Sequence, residues 1–75
     1  MLTANTAYYV AVPAYIFDAA VNALGDRFDG TINQLDTWVK ENMEPSQFIE
    51  YLEAPVKASK SKRYASRCLW TAYLA

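Results

Sequence analysis

Cys68-Leu69-Trp70-Thr71-Ala72-Tyr73-Leu74 is the stretch on which the fold turns, because its residues satisfy two periods at once. With Tyr64 and Ala65 in front, Cys68, Leu69 and Ala72 recur at the three-to-four spacing of one helix face. The same run holds Trp70, Thr71 and Tyr73, aromatic and β-branched types that favour a strand. The helical reading is preferred. It gives a mainly α chain, one domain over residues 1–75, with three to four short helices after an N-terminal extended segment or strand. The alternative is an α+β domain in which residues 8–12 pair with residues 68–74.

Tyr8-Tyr9-Val10-Ala11-Val12 is the natural mate, since it is rich in β-formers and Val12 precedes a proline, which biases it away from helix. Pro13 suits a helix start. Ile16, Phe17, Ala20, Val21, Ala23, Leu24 and Phe28 then mark an apolar helix face that ends at Gly25 or at Asp29-Gly30. Thr31 is expected to cap a second helix with Ile32, Leu35, Val39 and Met43 on its stripe and Trp38 half exposed beside it. Glu44-Pro45-Ser46 opens a third helix carrying Phe48, Ile49, Tyr51 and Leu52, expected to stop at Ala54-Pro55.

The 75 residues include no His, one Cys and two Gly. Imidazole triads, His-based zinc sites, internal disulfides and glycine-rich phosphate loops are therefore excluded. A lone thiol suits a reducing compartment, so a cytoplasmic protein without cofactor or metal is expected. The apolar run from Ala7 to Leu24 lacks a basic leader and contains Pro13, Asp18 and Asn22, so it reads as core, with no membrane partner. Ser59-Lys60-Ser61-Lys62 matches Ser-x-x-Lys only as any short Ser/Lys tract does, and Asp26-Arg27-Phe28-Asp29-Gly30 lacks the oxygen ligands of a calcium loop. Cys68, beside Leu69, reads as a small buried hydrophobe.

Charge is segregated along the chain. Residues 1–56 hold all eight acids against Arg27 and Lys40, a net of −6, and residues 57–75 hold Lys57, Lys60, Lys62, Arg63 and Arg67 without an acid, +5. The basic stretch, with Tyr64 and Trp70 interleaved, could meet phosphates and bases, or it could simply lie loosely paired with Glu50, Glu53 and Asp36. The acidic part also fits a mimic of nucleic acid.

The function expected is that of a non-enzymatic protein-binding module that masks a site on a partner macromolecule. Inhibitors, adaptors and phage or mobile-element anti-defence factors, such as anti-CRISPR or anti-restriction proteins, are of this class. The excess of Tyr and Trp, favoured at interfaces, is the warrant. The partner-binding candidates are Tyr8, Tyr9, Trp38 and Tyr51, with Lys60, Lys62, Arg63, Tyr64, Arg67 and Trp70 in the basic stretch. A second reading makes residues 57–67 a nucleic-acid site. A third makes the chain a homodimer or larger homo-oligomer in which the Tyr8–Val12 segments pair as edge strands.

Overall fold

The structure, a computed structural model, describes residues 2–57 and 63–74. Strand β1 (Leu2–Pro13) leads into α1 (Ala14–Leu24) and a 3-10 turn at Gly25–Arg27; α2 (Ile32–Asn42), α3 (Pro45–Lys57) and β2 (Tyr64–Leu74) follow. The two strands pair antiparallel in a single two-stranded sheet, from Pro13↔Tyr64 to Leu2↔Leu74, with one register shift between Leu2 and Ala4. The chain is therefore α+β. The preferred mainly α reading is overturned, and the alternative pairing of residues 8–12 with 68–74 is what forms.

The physical reason lies in β1. Twelve residues with Tyr8-Tyr9-Val10 inside and Val12-Pro13 at the end favour an extended backbone, whose N–H and C=O groups need a second strand. Residues 64–74 supply it, and tertiary pairing overrides their helical spacing.

The phase of the ladder follows from two bonds. Ala14 N–H donates to the Arg63 carbonyl at 3.0 Å, which makes 14 and 63 a hydrogen-bonded pair. Stepping by two, Val12/Ala65, Val10/Arg67, Tyr8/Leu69 and Thr6/Thr71 are bonded pairs, and Pro13, Ala11, Tyr9 and Ala7 turn their backbone groups outward. The second bond agrees: Trp70, opposite Ala7, donates its outward N–H to the Gly30 carbonyl at 2.9 Å. Pro13, which has no N–H, thus costs the ladder nothing.

Side chains alternate accordingly. Val12 and Leu69 are buried against the helices with Ile16, Ala20, Leu35, Val39 and Tyr51. Cys68 and Trp70 face the other way and are exposed, so Cys68 is not the buried hydrophobe expected. The helices form one layer on one face of the sheet, with α3 packed on β1 and α2 on β2.

Local chemistry sets the helix boundaries. Gly25, at φ 55°, ends α1, and the Arg27 Nη2 donates to the Ala23 carbonyl at 3.1 Å. Thr31 caps α2 as expected, its Oγ1 accepting from Gln34 N–H at 3.1 Å. Gln34 returns through Oε1, which accepts from Asp29 N–H at 2.8 Å. Helix α3 runs on through Pro55 to Lys57 rather than stopping at Ala54-Pro55. Near a helix end the proline removes only the bond to the Tyr51 carbonyl, while Ala54, fully buried, and Tyr51 hold that turn in the core. No helix of the described residues is long and apolar enough to cross a membrane.

The alternation predicts opposite outcomes at neighbouring positions. Leu69→Ala should lower unfolding free energy in urea by about 2–4 kcal/mol, and Cys68→Ala by less than about 0.5 kcal/mol. Equal losses would contradict the strand.

Candidate functional site

Two surfaces on the sheet side of the molecule lack cover among the described residues. The first is the outer face of the sheet, where the alternation places Ala7, Tyr9 and Ala11 of β1 beside Trp70, Cys68 and Ser66 of β2. Tyr9 is 76% exposed and Trp70 45%. Tyr9 stands among small neighbours, and the Trp70 indole lies beside Gly30, close enough that a side chain there would touch it. None of these residues is an acid or a base. All eight acids lie on the helices and their connections, so the sheet face is neutral and the helical layer acidic.

The second surface is a groove of about 180 Å³ between β1 and the helices, lined by Tyr8, Val10, Ala11 and Val12 of β1 and by Ile32, Asp36, Tyr51, Leu52 and Pro55 of the helices. Its rim continues into an apolar stripe on α3. Ile49, Leu52 and Val56 recur at helical spacing and are 56%, 57% and 81% exposed. Ile49 and Leu52 were read from the sequence as apolar residues of this helix, but the stripe was not among the partner-binding candidates. Its signal was present in the three-to-four spacing, but the same spacing describes a core face, and only packing shows which face a helix turns inward.

The expected partner-binding residues separate. Tyr9 and Trp70 share the outer sheet face, with Tyr64, half-buried, at its end. Tyr8 points to the helical side and is half-buried in the groove. Trp38 is half-buried in a second, more polar depression of about 340 Å³ along α2. Tyr51 is not at the surface: it is buried, stacked on Phe48 at 6.2 Å, with its hydroxyl donating to the Asp36 carboxylate. A phenol so placed buries its ring and satisfies its one donor at the edge of the core, which explains why an aromatic on an amphipathic helix need not be an interface residue.

The basic stretch is also divided. Arg67 occupies the helical side of β2, its guanidinium 4.7 Å from the Phe17 ring centroid, and Phe17 in turn meets Phe28 edge-on at 6.0 Å. Its Nε is buried without a hydrogen-bond partner. The planar cation is thus held against an aromatic face in the protein itself. Arg63 lies 3.8 Å from Glu50, and Lys57 3.4 Å from Glu53. Lys60 and Lys62 lie outside the described residues. The described cations of the basic stretch thus lie beside acids or an aromatic ring of the same chain. Asp36 takes the Tyr51 hydroxyl instead.

Among the described residues no three Asp, Glu or Cys side chains converge as a metal site would need. No protein-family model, no curated protein and no solved structure matches the chain.

Burial, followed by the hydrogen bond to Asp36 and the charge of that carboxylate, raises the Tyr51 phenol above its ordinary value of 10.0. A raised folded-state value stabilises fully below pH 10.0 and is lost as pH rises beyond it, because the unfolded chain releases this proton first. Unfolding free energy should therefore fall above about pH 10. In Tyr51→Phe the fall should be shallower and stability at neutral pH lower by about 1 kcal/mol, read by denaturation at each pH. An unchanged slope in the variant would refute the assignment.

Proposed function

We propose that the chain is a small non-enzymatic protein-binding module that covers a site on a partner protein, as an inhibitor or adaptor does. One observation carries this reading: the outer sheet face presents Tyr9 and Trp70, both exposed, on a floor of small uncharged side chains. Large rings that lose little conformational freedom on binding, set among residues that let a partner approach closely, are the composition of a protein-binding centre. The lone, exposed Cys68 supports a reducing setting such as the cytoplasm.

The distribution of charge favours a protein over nucleic acid as the partner. A surface for a polyanion joins cations to its stacking rings. Here the Tyr9 and Trp70 face carries none, Arg67 lies on the opposite side of the strand, and the helical layer is acidic.

The test is capture from lysate of the source cell on immobilised protein, with and without nuclease. A stoichiometric protein that survives nuclease is expected, with Tyr9→Ala and Trp70→Ala each weakening it about 10–30-fold, roughly 1.4–2 kcal/mol. Recovery of nucleic acid alone, or a partner indifferent to both substitutions, would overturn the proposal.

A further inference from the structure

We propose that the chain forms a two-fold dimer in which the free edge of β1 pairs antiparallel with β1 of a second copy while the α3 stripes close over the seam. The inference rests on the backbone edge of β1 and the helical side of the sheet, and not on what the exposed rings of the outer face bind.

The edge is open by the ladder's own phase. Ala7, Tyr9 and Ala11 direct their backbone N–H and C=O away from β2, and among the described residues no element bonds to them. β2 is different, because Gly30 takes the outward N–H of Trp70 and Thr31 bridges it. Natural edge strands are usually protected by charge, a bulge or shortness. β1 is twelve residues long, carries no Lys, Arg, Asp or Glu, and is irregular only at Leu2/Ala4. Its one protecting residue, Pro13, lies past Ala11 and so marks where pairing would stop.

A second copy is the occupant that fits. Antiparallel pairing about a dyad normal to the sheet keeps the two helical layers on the same side. Centred on Tyr9, it sets Tyr9 against its counterpart and Ala7 against the counterpart of Ala11, so every outward group on this stretch finds a mate. Since α3 is the helix packed on β1, the same rotation carries the two α3 stripes toward each other over the groove. Leu52 and Val56 are thereby covered by the operation that pairs the strands.

Charge does not oppose it, for the acids flanking the stripe are already partnered, Glu53 by Lys57 and Glu50 by Arg63. The size is right as well. The open stretch from Ala7 to Ala11 and helix α3 each run roughly 15–20 Å. A standard interface takes about 800 Å² per partner, roughly a sixth of this chain's 5133 Å².

Light scattering behind size exclusion and sedimentation, over about 1–500 μM, test the proposal on the full chain. A species of about 17 kDa, twice the chain's 8.5 kDa, is expected to grow with concentration. Amide exchange at Ala7, Tyr9 and Ala11 should slow in step with it. Ala7→Pro removes an outward donor that β2 does not use, and Leu52→Glu charges the exposed stripe; each should weaken the dimer at least about tenfold with an unchanged circular dichroism spectrum. If Ala7→Pro fails to fold, Leu52→Glu and the amide exchange decide. A monomer at every concentration, or a dimer that keeps its strength in both folded variants, would overturn the assignment whatever partner the outer face binds.

Discussion

The pairing of the chain's two ends governs this molecule. β1 and β2 are separated by more than forty residues of helix and connection, so the ladder closes a long loop before it returns any stabilisation. Once closed, it fixes which side chains turn inward. Val12 and Leu69 then join the core that Ile16, Leu35, Val39 and Tyr51 build from the helices. Among the described residues the outer face keeps Tyr9 and Trp70 exposed, so that part of the sheet is left without a packing partner. Asymmetry of this kind is ordinary for antiparallel sheets, where one face is packed and the other meets solvent. What is uncommon is that the solvent face holds two large rings and no charge.

How much of this was legible in the sequence depended on whether one local signal spoke alone. Thr31 ahead of the Ile32, Leu35 and Val39 stripe reads as an N-cap, and α2 starts there. Val12-Pro13 forbids helix before it and permits helix after it, and both elements follow. At residues 64–74 two signals competed. Strand alternation was disguised because Arg67 sits on the packed side, laid over Phe17, while the apolar Trp70 and Cys68 sit on the open side. A period of two is invisible when each face mixes polar and apolar residues, and only the distant mate decides. Pro55 misled for a related reason: a proline stops a helix when nothing else holds the turn, and here the burial of Tyr51 and Ala54 holds it.

The candidate site was legible in composition and not in position. Tyrosine and tryptophan were in evident excess, but which of them meets solvent follows from register. Adjacent Tyr8 and Tyr9 take opposite faces because a strand alternates. Tyr51 goes inward because Asp36 offers its hydroxyl a partner. Opposite charges that lie far apart along the chain, such as Glu50 and Arg63, meet in space, so the strong polarity of the linear sequence is partly cancelled in the fold.

The register that brings Leu2 beside Leu74 also has a mechanical side. A load applied between those two residues acts across the strands at one end of the ladder, so it would open the pairs in succession rather than shear them all at once. The bonds that close the fold are therefore the ones such a load meets first. Leu69, midway along the ladder, would yield later, and Val12, near its far end and anchored in the helical layer, among the last. A chain held from these two points would resist heat through its core and force only through one pair at a time.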